Sequence, residues 1–215
     1  MHIKIGTRKS KLALWQANHV SDHLQAEGYS TELVPILSEG DKFLDTPLPM
    51  MGGKGVFTKA LDDALLNGEI DIAVHSLKDI PTELPEGISL GAILERENPA
   101  DVIVCRKGID FLNKENATVA TSSNRRKSQW LQRYPKHQMV DIRGNVGTRI
   151  QKLKDSNWDG AIFAAAGLIR LQLKHEIGQS LDWMIHAPGQ GAVAVVYTDG
   201  NKAIFSALQN LHHKE

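Results

Sequence analysis

Short apolar runs alternate with segments of helical period along almost the whole chain, and this alternation limits the fold more than any other feature. His2 to Ile5 reads as a strand. Ser10 to Ala26 reads as a helix, with Ala13, Ala17, Val20 and Leu24 on one face and Gly28 as its stop. Thr31–Leu37 is the next strand, Phe57–Asn67 a helix, and Ile70–Val74 a strand. Ile88–Leu94, Asp101–Cys105, Val119–Thr121, Gly160–Ala164 and Gly191–Tyr197 continue the strand set. Helices are expected from Ser122-Ser123 onward, over Asn145–Lys154 and over Lys202–Leu211. Strands alternating with helices define an α/β protein with largely parallel sheets.

Turn-forming clusters at Glu95–Ala100 and His186–Gly191 interrupt the pattern twice. Two crossings imply a first domain built from both ends of the chain, 1–96 plus 190–215, with a second, 97–189, inserted. A length of 215 residues suffices for two such cores. Lys+Arg and Asp+Glu are 25 each, so the net charge points to neither a nucleic-acid partner nor a membrane surface. No apolar stretch approaches the roughly 20 residues that a spanning helix needs. The single cysteine, Cys105, rules out a disulfide framework, and a reducing, cytoplasmic compartment is expected. Cys105 falls inside the apolar run Asp101-Val-Ile-Val-Cys105 and reads as a buried structural thiol. The histidines show no metal-ligand spacing, and no Ser/His/Asp signature occurs.

Five constellations bear on the chemistry. Val74-His-Ser-Leu-Lys-Asp79 ends a buried strand with an ammonium and a carboxylate side by side, before Pro81 stops the element. Such folds place their ligands at strand ends. Gly6-Thr-Arg-Lys-Ser10 joins a strand to a helix, with Ser10 as N-cap and Arg8 beside the helix N-terminus, an arrangement suited to an anion. Thr121-Ser-Ser-Asn-Arg-Arg126 repeats that logic, with two arginines where the helix dipole disfavours cations by about 0.3–1 kcal/mol each. Arg143-Gly-Asn-Val-Gly-Thr-Arg149 brackets another turn with guanidinium groups, and Arg170 is a further cation near an apolar strand end. Gly52-Gly-Lys-Gly55 with Lys59 lacks the Walker pattern and reads as a loop carrying lysines. Taken singly, each motif is also compatible with a capped helix and solvated charges. Together they set one carboxylate, Asp79, against a field of cations.

These motifs, with Leu12-Ala-Leu-Trp-Gln-Ala17, Gly52-Gly-Lys-Gly-Val-Phe57 and Pro188-Gly-Gln-Gly-Ala192, occur in an order that resembles the porphobilinogen deaminase (hydroxymethylbilane synthase) family nearly end to end. The resemblance implies two periplasmic-binding-protein-like α/β domains with a cleft between them and two crossover strands. It implies a transferase of tetrapyrrole and haem biosynthesis that condenses four porphobilinogen molecules head to tail with loss of ammonia. It also implies a dipyrromethane cofactor, a monomeric state, porphobilinogen and polypyrrole intermediates as the binding partners, and no nucleic acid. Asp79 and Lys78 take the catalytic positions. Arg8, Ser10, Lys54, Ser76, Ser123, Arg125, Arg126, Arg143, Arg149 and Arg170 take those that bind cofactor and substrate carboxylates. Arg8, Lys78, Arg125, Arg126, Arg143 and Arg149 are expected to face one cleft.

Two departures stand out. Asn124 replaces the family's usual Leu, and the chain reaches Glu215 about where a third domain would begin, the one whose cysteine holds the cofactor. Cys105 does not match that cysteine, so the cofactor is not expected to be bound covalently, and a truncated two-domain form without sustained turnover is expected. A non-catalytic polycarboxylate-binding module of the same fold is the alternative. Asp79 separates the two, because a pure carboxylate binder gains nothing from a carboxylate among its cations.

Overall fold

The computed structural model describes residues 1–38 and 58–214. They form two units. One comprises 1–38, 58–97 and 191–214, and the other Asn98–Gln190. The chain passes from one to the other at Glu97–Asn98 and returns at Gln190–Gly191.

The first unit is a five-stranded sheet in the order β2-β1-β3-β10-β4. Its strands are β1 (His2–Arg8), β2 (Ser30–Ile36), β3 (Ile72–Ser76), β4 (Ile88–Ile93) and β10 (Val193–Thr198). Side chains alternate across it as the pleat requires. Ile72 and Val74 pack with Ile3, Ile5 and Val195 against α1 (Lys11–Ala26) and α6 (Lys202–Leu208). Ala73 turns to the other face, among Leu61, Leu65 and Ile70 beneath α2 (Lys59–Leu66). The α1 helix starts where its chemistry says it should, with Ser10 Oγ accepting from Ala13 N at 3.2 Å.

The second unit repeats the plan in the order β7-β6-β8-β5-β9. These strands are β5 (Asp101–Cys105), β6 (Thr118–Ala120), β7 (Gln138–Val140), β8 (Gly160–Ala164) and β9 (Ile177–Ser180). The helices are α3 (Asn124–Arg133), α4 (Val146–Asp155) and α5 (Ala165–Arg170). Trp130 of α3 is fully buried among Phe111, Ile103, Ile162 and Leu181, and its indole N–H donates to His137 Nδ1 at 3.3 Å.

The sheets are mixed, which corrects the expectation of largely parallel ones. β1 runs parallel to β2 and β3, and β6 parallel to β7 and β8. β10 is antiparallel to β3 and β4, and β5 antiparallel to β8 and β9. The strands that break the pattern each enter a unit from a crossover rather than from a preceding helix, so no βαβ connection dictates their direction. β7, β9 and α5 were too short to be read from periodicity.

Gly191 has φ 95° and its carbonyl accepts from Glu97 N at 3.1 Å. A Cβ there would strike the Glu97 carbonyl oxygen, which is backbone and cannot move aside. Gly191→Ala is therefore expected to cost at least about 2 kcal/mol, from left-handed strain plus the clash. Urea unfolding of that variant checks it, with Gly200→Ala as the control, where φ is 77° but a Cβ meets open space.

Candidate active site

In the first unit the two relevant strand ends adjoin, because β1 and β3 are parallel neighbours. Arg8 closes β1 and Ser10 caps α1. Ser76 closes β3, and its Oγ accepts from Gln16 Nε2 at 2.9 Å. Leu77–Asp79 then makes one 3-10 turn that leaves Lys78 and Asp79 exposed. The turn is fixed from behind, since Leu77 N donates to the Ala192 carbonyl at 3.0 Å. His75 points to the opposite face of β3 from Ser76. Burial, with a smaller contribution from the Arg8 charge, pushes its imidazole down to about 4, so it is neutral at pH 7. Thus an exposed carboxylate and an exposed lysine follow the end of β3.

In the second unit β7, β6 and β8 are parallel neighbours, so the turns that leave them share one sheet edge. That edge is where α/β sheets collect ligands. After β6, Ser123 Oγ caps α3 through Arg126 N at 3.4 Å. After β7, Asn145 Oδ1 caps α4 through Thr148 N at 2.9 Å. Gly144 supplies the φ of 114° that this turn needs. The Arg149 guanidinium lies 4.9 Å from the Phe163 ring centroid. Arg143 is half-buried, and burial lowers its pKa. After β8 comes α5, and Arg170 sits in its last turn, buried. Arg170 is thus a helix residue rather than a cation at a strand end, because the apolar run Ala164–Ile169 splits into the end of β8 and a short helix.

The residue that organises this edge escaped the sequence reading. Asp101 begins β5, pairs with Ala164 in the ladder and is completely buried. Its Oδ1 accepts from Arg126 Nε at 2.9 Å and Gln190 Nε2 at 2.9 Å, and Arg126 Nη2 lies 2.7 Å away. Its Oδ2 accepts from Arg125 Nη1 at 2.6 Å. Burial alone would raise the carboxyl pKa. Arg126, Arg125 and Gln190 outweigh it and hold the group below the ordinary carboxylate range.

The two arginines are used differently. Arg126 is buried and spends Nη1 on the Ile162 carbonyl at 3.1 Å as well. Arg125 uses only Nη1, for Asp101 and for the Ile185 carbonyl at 2.6 Å. Among the described residues its Nη2 and Nε make no hydrogen bond. A charged residue opening an apolar strand was the visible signal for Asp101, and a glutamine on the apolar face of α1 was the signal for Gln16. Lys54 lies outside the described residues. Cys105 is half-buried against Gly178, and burial pushes its thiol up to about 11.

Fold and site define a class: two α/β units, each collecting cations at the ends of its strands. A solved structure from Bacillus subtilis, a probable amino-acid ABC transporter extracellular-binding protein, shares the fold at a TM-score of 0.59 with 12% identity, over 98% of this chain and 90% of that one. The sequence profile described as "Porphobilinogen deaminase, dipyromethane cofactor binding domain" matches residues 3–206. The porphobilinogen deaminase of Geobacter metallireducens is 46% identical over 99% of this chain and 68% of its own length. That of Geotalea uraniireducens is 47% identical over 98% and 68%. The chain belongs to the porphobilinogen deaminase family.

Because the folded pKa of Asp101 lies below its unfolded value of about 3.9, its ion pairs contribute stability at neutral pH. That contribution is lost as pH falls from the unfolded value through the folded one. Asp101→Asn should cost about 3–5 kcal/mol at pH 7 and flatten the acid limb of the stability curve. Urea midpoints from pH 7 to pH 3 for both proteins measure this.

Proposed function

We propose that this chain carries the substrate-binding and catalytic residues of a hydroxymethylbilane synthase, an enzyme that joins four porphobilinogen molecules head to tail, and that alone it does not sustain turnover. The observation that carries the reading is that one family member presents opposite charges at the strand ends of its two sheets. Arginine-bearing turns line the parallel edge of one sheet, and the exposed Asp79 sits on a fixed strand end of the other.

Each substrate ring brings an acetate and a propionate, so a growing oligopyrrole is a polyanion. Arg125, with Nη2 and Nε available, is suited to grip a carboxylate through two parallel hydrogen bonds. Arg143, Arg149 and the capped N-termini at Ser123 and Asn145 extend that field. Arg126 and Arg170, being buried, act from behind by shaping the edge. At each condensation the aminomethyl carbon–nitrogen bond breaks, ammonia leaves, a carbon–carbon bond forms to the next ring, and that ring's α-proton is lost. Positive charge builds on the reacting pyrrole, and the fixed Asp79 carboxylate stabilises it, the sign-reversed counterpart of an oxyanion hole. Lys78, beside it, offers its ammonium to a substrate carboxylate, as do Arg8 and the Ser10 and Ser76 hydroxyls on the same sheet edge.

A dipyrromethane primer fits the chemistry of this donor set, since it carries the same acetate and propionate groups. When bound it supplies the ring to which the first substrate unit is joined. Cys105 does not tether it here, because a thiol near pKa 11 inside a strand is scarcely ionised and is a poor nucleophile. The protein works as a monomer in the cytoplasm without nucleic acid. Among the described residues no helix is long and apolar enough to cross a membrane.

Two measurements test this. Elongation of added dipyrromethane by porphobilinogen, followed as a single turnover, should be at least about 100-fold slower in Asp79→Ala with little change in porphobilinogen affinity. Calorimetric binding of porphobilinogen should weaken roughly tenfold in Arg125→Ala, the loss of a charge-assisted pair. Wild-type turnover in the first variant would remove Asp79 from the chemistry. For the primer, the intact mass of purified protein should equal the bare polypeptide, and an adduct mapped to Cys105 would refute that point.

A further inference from the structure

We propose that α1 carries a surface site for a divalent late transition metal, built from His19 and His23. The site is independent of the deaminase reading. The two residues are four apart on a sixteen-residue helix, which brings their side chains together on one face. Their ring centroids are 4.5 Å apart. Two histidines at this spacing on a helix form a standard chelating pair for zinc.

The decisive detail is the tautomer. His23 Nδ1 lies 2.7 Å from the His19 carbonyl oxygen. A carbonyl oxygen only accepts, so Nδ1 carries the proton, and in the neutral ring Nε2 holds the lone pair. Metal-bound histidines are oriented in this manner, with the second ring nitrogen donating to a backbone carbonyl. His23 is exposed, so an ion reaches Nε2 directly. His19 is half-buried and stacks on Trp15, with centroids 5.0 Å apart and the rings within 20° of parallel. The imidazoles meet edge to face at 80°, so chelation requires the His19 ring to turn about its Cβ–Cγ bond toward His23.

That turn disturbs the Trp15 stack and supplies an optical signal. Among the described residues no group of three or more His, Cys, Asp or Glu side chains is placed to hold a metal. Water therefore completes the coordination sphere, and the site takes its ions in the order of imidazole affinity, Cu²⁺ above Ni²⁺ and Zn²⁺. Earlier on the same helix, Gln16 donates to Ser76, the residue that closes β3.

The test is titration of Cu²⁺, Ni²⁺ and Zn²⁺ into the full chain, followed by calorimetry and tryptophan fluorescence. His2, His212 and His213 are replaced by Ala to remove the other exposed candidates near the chain ends. One equivalent of Cu²⁺ should bind and quench Trp15, and the quenching should be largely absent in Trp15→Phe while binding persists. His23→Ala and His19→Ala should each weaken binding at least tenfold. His23→Gln, which keeps polarity and helix propensity, should behave as His23→Ala does. Unchanged affinity in the His23 variants, or a stoichiometry of zero in the His-depleted parent, would overturn the proposal.

Discussion

A single buried carboxylate, Asp101, ties together the arginine-bearing turn at the parallel sheet edge of the second unit and the return crossover. It sits at the start of β5 and receives hydrogen bonds from Arg125, Arg126 and Gln190. Those donors come from the N-terminus of α3 and from the return crossover. Arg126 and Arg125 then reach carbonyls of Ile162 in β8 and Ile185 before the crossover. One anion among two guanidinium groups leaves the cluster with a net positive charge. Such an arrangement is costly in isolation, since desolvating ions offsets much of their mutual attraction. It is tolerable because Arg126 places Nε and Nη2 on Asp101 and Nη1 on the Ile162 carbonyl, while Arg125 keeps part of its guanidinium available to water or to a ligand anion. The positive charge in excess lies on the part of the Arg125 guanidinium that no described residue bonds.

The same logic explains two arginines in the first turn of α3. The helix dipole opposes cations there. Asp101, lying against that turn, offsets the unfavourable field and converts a local fault into a positioned fork. On the first unit the arrangement differs. Asp79 is held by backbone, through the Ala192 carbonyl that receives Leu77 N, and stays exposed. The neutral His75 behind it adds no charge of its own. Among the described residues Asp79 makes no ion pair, so its field reaches solvent undiminished by a partner.

Much of this was visible from residue order. Ser10, Ser123 and Asn145 were legible as helix starts because capping is a local hydrogen bond between neighbours in sequence. The strand cores were legible from their apolar runs. Short elements were not: β7 and β9 span three and four residues, too few to show a period. The direction of β5 and β10 was hidden as well, because antiparallel placement there follows from partners more than fifty residues away.

What the sequence determined by itself was the α/β class, the turns that bear the cations, and the lone carboxylate after β3. These depend on interactions within a few residues. What only the tertiary structure decided was which charges are available. Arg125 and Arg126 are adjacent and chemically identical, yet one is buried on Asp101 and the Ile162 carbonyl while the other keeps part of its fork unbonded. Asp101 looked like the polar edge of an apolar strand, and Gln16 like a stray amide on a helix. Their roles arise from partners distant in sequence, Gln190 and Ser76, brought within hydrogen-bonding reach by the sheets. Desolvation and long-range pairing are properties of the packed chain, and no local pattern of residues encodes them.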